Sequence, residues 1–350
     1  DKAGAPYGVA LYNPKSLITL RLLTRELAGF DPEAFFAKRL ARAVELRRAL
    51  LRLDEVTDAY RVVYDLGDGL PGLVVDRYGD FIVLEFYSLA MFRQAELLER
   101  LLAAHYPAAR FVRRASDYTQ SMEGFVLPSQ PTTVTRIREH GVVFEADLSG
   151  GHKTGFFLDQ RDNRARIGEL SAGQDVFDGF CYTGGFALSA ALRDAKSVEA
   201  VDLDEKAIEI ANQNKTLNEV GERLNFVHGN VFETLRDRRA AGKRYSRIIL
   251  DPPKLALVRE EIPKALSAYA DMNRLAIQCL QPGGVLLSCS CTGLISETDF
   301  LTALRSAASE AGVELQIFAI HHAAADHPWS LHVPEGRYLK AVFSRVMPRR

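Results

Sequence analysis

Cysteine is scarce: 350 residues carry four, none in a Cys-x-x-Cys pair. That excludes a disulfide framework and a cysteine zinc site, and it predicts reduced thiols. No apolar run reaches membrane-spanning length, and the opening Asp1-Lys2-Ala3-Gly4 lacks the apolar core of a secretion signal. A cytoplasmic protein is expected. An excess of charge of either sign is also missing: a net charge of −1 argues against nonspecific coating of nucleic acid and leaves room only for a local basic face. The glycine turn at 178–185 departs from the Gly-x-Gly-x-x-Gly dinucleotide fingerprint, which disfavours a nicotinamide enzyme. What is present is ordinary for a globular chain: 47% hydrophobic and 25% charged residues bury a sizeable core in two or more domains.

Residues 1–23 hold turn residues and one short strand, Ile18 to Leu23, too little to bury a core alone. From Pro32 to Asp54, apolar side chains from Phe35 to Leu51 recur at helical spacing. Lys38, Arg39, Arg42, Arg47, Arg48 and Arg52 fill the other face, a solvated surface more readily than an RNA-contacting stripe. Short β-type runs at 60–64, 73–76 and 81–87, then a helix over 94–104, make a small α+β unit ending near residue 138. Thr119 to Thr135 reads as a polar connector. Beyond Glu139, strands near 176, 198–201, 225–228 and 247–250 alternate with helices at 186–192, 205–218 and 256–280. That rhythm predicts a parallel sheet covered on both faces, with ligands outside the carboxyl ends of its strands.

The chemistry-bearing motifs fall at those ends. Gly179, Gly184 and Gly185 let backbone approach a ligand where a helix begins. Asp202 follows that turn at about the 20-residue distance of a ribose-binding carboxylate. Asn230 has an amide suited to an adenine edge, or to a plain helix cap. In Asp251-Pro252-Pro253-Lys254 the two prolines force a rigid exit from the sheet that aims Asp251 and Lys254 into the cleft. Enzymes that methylate exocyclic amines usually place an aromatic ring where Lys254 stands, so lysine speaks against that reaction. Gly283-Gly284 opens an apolar strand into Ser288-Cys289-Ser290-Cys291-Thr292, with Cys289 and Cys291 on one strand face. Cys279 and Cys289 read as core, whereas Cys291 stands at the strand end, where a thiolate can add to the electron-poor C6 of a pyrimidine. His321, His322 and His327 lack the spacing of a metal site and read as loop and core polar groups.

Residues 139–346 carry Gly151-His152-Lys153-Thr154-Gly155-Phe156-Phe157-Leu158-Asp159-Gln160-Arg161, Cys181-Tyr182-Thr183-Gly184-Gly185-Phe186 and Asp251-Pro252-Pro253-Lys254. They also carry Ser290-Cys291-Thr292-Gly293-Leu294, Ala325-Asp326-His327-Pro328 and Tyr338-Leu339-Lys340. In these blocks the chain resembles the bacterial 23S ribosomal RNA cytosine-C5 methyltransferases of the large subunit. The likeness extends upstream through Asp68-Gly69-Leu70-Pro71-Gly72. It implies an α/β class I S-adenosylmethionine (SAM) methyltransferase domain over 139–350, a doubly wound, mostly parallel seven-stranded sheet. Before it the resemblance implies an EEHB-like α+β domain with a linker helix over 24–138 and a PUA-like remnant over 1–23.

By the same resemblance, Lys153, Phe157, Asp159 and Arg161 wrap the SAM pocket or the adjacent cleft. Asp178, Phe180, Tyr182, Thr183, Gly184, Asp202, Leu203, Asn230, Val231 and Asp251 then complete cofactor binding. Cys291 takes the place of the family's nucleophile, and Asp251 that of the group bonded to the cytosine N3 edge; the base that removes the C5 proton is not identified. SAM is the implied cofactor and 23S-like ribosomal RNA the implied partner, with no metal and no membrane. The oligomeric state stays open, a homodimer among the options. Two other readings stand beside this one: methylation of another base atom, such as guanine N7, and a noncatalytic SAM- and RNA-binding assembly factor.

Overall fold

The computed structural model describes residues 4–128, 131–148 and 156–349. They divide into two compact units, Asp1–Asp159 with Ala325–Gly336, and Gln160–Ala324 with Arg337–Arg350.

The first unit opens with an antiparallel hairpin, β1 (Val9–Tyr12) and β2 (Leu20–Thr24), where the sequence predicts a single strand. Helix α1 (Pro32–Glu45) starts where Asp31 accepts a hydrogen bond from the Glu33 N–H and Pro32 presets the first turn. Its buried stripe is Phe36, Leu40, Ala43 and Val44. Strands β3 (Ala59–Tyr64), β4 (Leu73–Tyr78) and β5 (Phe81–Phe86) pair antiparallel in sequence order. Helices α2 (Leu89–Phe92) and α3 (Ala95–Ala103) then lead to β6 (Arg110–Arg114), which runs parallel to β5. The expected connector contains a helix, α4 (Asp117–Glu123), before the hairpin of β7 (Val134–Glu139) and β8 (Val142–Asp147). Buried Glu123 explains that helix: its carboxylate accepts from Asn13 Nδ2 at 2.8 Å and Ser16 Oγ at 2.5 Å, tying the first hairpin down.

Two further expectations are corrected here. The unit does not end near 138: Arg138 N donates to Asp58 at 2.6 Å and Thr57 Oγ1 to the Arg138 carbonyl at 2.8 Å, which holds the second hairpin to the first unit. Arg47, placed by its spacing on a solvated face, is fully buried. Its guanidinium grips Asp68 through two bonds of 2.6 and 2.8 Å and donates to the Asp326 carbonyl at 2.7 Å. Asp326 in turn accepts from Arg61 N at 2.8 Å, so the segment 325–336 joins this unit across a separation in sequence that no local pattern encodes.

The second unit runs α5 (Arg161–Glu169), β9 (Asp175–Gly179), α6 (Gly185–Ala191), β10 (Ser197–Asp202), α7 (Glu205–Leu217), β11 (Leu224–His228) and α8 (Val231–Ala240). It continues with β12 (Tyr245–Leu250), α9 (Ile262–Cys279), β13 (Leu280–Ser290), α10 (Glu297–Glu310), β14 (Val313–His321) and β15 (Lys340–Pro348). The seven strands lie in the order β11-β10-β9-β12-β13-β15-β14, and β15 runs antiparallel to both its neighbours. This is the expected doubly wound, mostly parallel sheet. Helix α9 begins at Ile262 rather than Ala256, because the Glu261 carboxylate takes the Leu257 N–H at 2.7 Å and holds that stretch out of the helix. The chain leaves β9 on one side for β10 and β11, then returns to its other side with β12, so the crevice lies beyond the carboxyl ends of β9 and β12.

Replacing Arg47 with Met should leave the Asp68 carboxylate without its charge partner in a nearly water-free site. Urea unfolding is expected to show a loss of about 3–5 kcal/mol; a loss below about 1 kcal/mol would mean that Asp68 reaches solvent and that the ion pair is not structural.

Candidate active site at the strand ends

The turn after β9 is built from backbone that only the neighbouring strands make tenable. Phe180 and Tyr182 sit at φ 67° and 49°, a left-handed region that side chains disfavour, and Gly184 at 88°. Phe180 and Cys181 both donate to the Val201 carbonyl of β10, at 2.9 and 3.1 Å. Tyr182 N donates to Asp202 Oδ2 at 2.8 Å, while Asp202 Oδ1 takes the Asp204 N–H at 2.9 Å. Asp202 thus shapes the turn as well as closing β10. A Cβ on Gly184 would lie 2.6 Å from the Phe226 ring, and one on Gly179 2.9 Å from Val231, so both glycines are required by close approach.

Asp178, next to last in β9, has no exposure, and among the described residues neither carboxylate oxygen closes a hydrogen bond. Burial, with the negative charge of Asp251 next, pushes its pKa well up; the Ala187 N–H, near but outside hydrogen-bond geometry, pulls the other way, and Asp202 adds to the rise. A buried carboxyl of this kind, beside a partly buried turn, is what a cationic ligand would stabilise in its ionised form.

Across the switch point, the Asp251 N–H donates to the Gly179 carbonyl at 3.3 Å, and β12 pairs with β13 so that Leu250 faces Ser288. Cys291 follows β13 directly, half-buried, with its Sγ 3.8 Å from the Pro252 carbonyl. Cys181, Cys279 and Cys289 are buried, and burial raises the pKa of each. These three thiols are therefore inert, and the shared strand face does not make Cys289 and Cys291 equivalent. Lys254 is exposed rather than aimed inward. Thr292 is pinned: its hydroxyl accepts from Leu255 N at 3.1 Å and meets Tyr269 Oη at 3.0 Å, while its carbonyl accepts from Lys340 Nζ at 2.8 Å. Burial pushes the Tyr269 phenol up to about 12. Tyr269, Thr292 and Lys340 escaped the sequence reading as site residues because contacts of 23 and 48 residues' separation leave no local signal.

The second unit therefore gathers Asp178, Phe180, Tyr182, Thr183, Gly184, Asp202, Asp251 and Cys291 at one sheet edge. Leu203 is 66% exposed just beyond Asp202. Asn230 is a helix cap, its oxygen accepting from the Phe232 and Glu233 N–H groups, so only its amide hydrogens remain for an adenine edge. The Val231 side chain belongs to the core and offers a ligand only its backbone. Buried Arg161 lies in this unit, bonded to Asp162 at 3.0 Å, whereas Phe157 and Asp159 belong to the first unit. Lys153 lies outside the described residues. The three histidines bond to protein groups: His321 to Asn163, His322 to the Leu339 carbonyl and His327 to Asp326. A groove of about 860 Å³ opens beside Asn230, but it does not include Cys291, and ion pairs among Arg236, Asp271, Arg274 and Glu310 neutralise its walls.

A family model described as S-adenosylmethionine-dependent methyltransferase matches residues 90–323. The chain is 38% identical to Ribosomal RNA large subunit methyltransferase I of Citrobacter koseri, over 99% of this chain and 89% of that protein. It is equally similar to the protein of the same name from Salmonella newport, covering 88% of it. Among solved structures, SMU.776, a putative methyltransferase complexed with SAH, superposes with a TM-score of 0.83 at 21% identity, over 97% of this chain and 88% of that one. At that identity the likeness shows the fold alone.

Substituting Gly184 by Val forces a branched side chain into left-handed backbone against Phe226. Calorimetry should find S-adenosylhomocysteine bound at least tenfold more weakly, about 1.4 kcal/mol, in a variant that stays folded; unchanged affinity would remove this turn from the cofactor site.

Proposed function

Since the chain belongs to the S-adenosylmethionine-dependent methyltransferase family, we propose that it methylates C5 of a cytosine in large-subunit ribosomal RNA, with Cys291 as the nucleophile. The observation that carries the reading is the contrast among the thiols: three are buried and held protonated, and the fourth stands half-open at the carboxyl end of β13, one strand over from Asp251. Ribosomal RNA is supported by the names of the 38%-identical relatives.

When bound, S-adenosylmethionine supplies an electrophilic methyl group. The residues present fit it: the orphaned Asp178 carboxyl suits a cationic donor, Asp202 caps the crevice with negative charge, and the Phe180–Gly184 turn brings backbone close. Arg161, Leu203, the Asn230 amide and the Val231 backbone complete the proposed pocket from this unit.

The chain's own chemistry then runs as follows. The Cys291 thiolate adds to C6 of a flipped-out cytosine, opening the C5–C6 double bond and leaving an electron pair on C5, the atom that accepts the methyl. Asp251 bonds the N3 and amino edge as charge builds there. A base takes the C5 proton, and the freed pair re-forms the double bond as Sγ departs.

Cys291→Ala should lower methyl transfer into ribosomal RNA by about 10³-fold or more and abolish the covalent adduct with 5-fluorocytosine RNA on denaturing gels. Activity that survives the substitution would shift the target to another base atom, and transfer from neither protein would leave a binding factor.

A further inference from the structure

Lys340 opens β15 opposite Ser290 of β13, and its side chain is buried. Nζ donates to three backbone carbonyls: Thr292 at 2.8 Å, Ile295 at 2.9 Å and Tyr338 at 3.0 Å. Three acceptors need three hydrogens, which the ammonium has and the neutral amine lacks. Burial draws its pKa down to about 8, with Cys291 and then Glu297 holding it up, so the group is cationic at neutral pH. A methionine would fill the space without the cost of desolvating a charge.

Among the described residues, the titratable groups that act on this corner include Asp251 after β12, Tyr269 on α9, Cys289 on β13 and Glu297 at the start of α10. The carboxylates among them oppose a second negative charge at Cys291. Arg337 pairs with Glu297 at 2.7 Å and His322 lies 3.8 Å from it, so that carboxylate is shared; Lys340, bonded to the carbonyl of the next residue, Thr292, adds a positive charge beside Cys291. The Thr292 hydroxyl is held from the other side by Leu255 N and Tyr269, so the Lys340 bonds complete a clamp on the turn that begins at Cys291.

We propose that Lys340 is a positioning residue for Cys291, fixing the 291–295 turn through its carbonyls and supplying the buried positive charge that favours the thiolate over the thiol. Its weight in catalysis rests on the reading of Cys291 as nucleophile; its effect on the thiol does not.

The test is the pH dependence of Cys291 alkylation by iodoacetamide in the full chain, with Cys291→Ala giving the background from the buried thiols. The wild-type midpoint should lie below the free-cysteine value of about 8.5. Lys340→Met should raise it by about one unit, a roughly tenfold loss of thiolate at neutral pH, and Lys340→Arg should restore part of the shift. Methyl transfer by Lys340→Met should fall in kcat more than it changes KM, and recover as pH rises. A wild-type midpoint at or above about 8.5 overturns the proposal without any variant, and so does a folded Lys340→Met protein with an unmoved midpoint. If the midpoint moves as expected while Cys291→Ala still transfers methyl groups, the functional reading fails and the electrostatic one stands.

Discussion

The site depends on one constraint, the parallel pairing of β9 on both sides at once. Because β10 lies on one flank and β12 on the other, the backbone leaving β9 is fixed by Val201 on the left and by Asp251 on the right. Strained backbone at Phe180 and Tyr182 is tolerable only while those bonds hold it, and Gly179 has to be glycine because Val231 and Leu250 close over it. Move any of the three strands and the turn, the Asp202 contact and the Asp251 exit move together.

Electrostatics at this edge follow from packing rather than from net charge. Asp178, Asp202 and Asp251 crowd one crevice by arrangement in a chain of net charge −1, and burial at Asp178, with the charge of Asp251 beside it, disfavours its ionised form. The same burial silences three thiols. It leaves Cys291 distinguished by position, one residue past the end of its strand, rather than by any feature of the Cys-x-Cys pair itself. On the turn that follows that thiol, a lysine bonded to three carbonyls supplies the opposite sign.

Much of this was legible in the linear pattern. The alternation of strands and helices beyond Glu139, the glycine turn, Asp202 and the Asp-Pro-Pro exit are local signals, and the sheet put them on one edge. The failures share a cause. Arg47 fell on the polar face by helical period, yet Asp68 and the Asp326 carbonyl draw it inside. The expected polar connector hides α4 because Glu123 is claimed by Asn13 and Ser16 more than a hundred residues earlier.

The sequence by itself determined the periodicities, the glycine and proline punctuation and the reactive side chains, because each of these acts through neighbours a few residues away. The division at 159/160, the return of 325–336, the burial that separates Cys291 from the other thiols, and the lysine set against it were decided by tertiary structure. Burial and charge pairing are properties of what surrounds a group in space, and for these residues the surroundings come from distant parts of the chain.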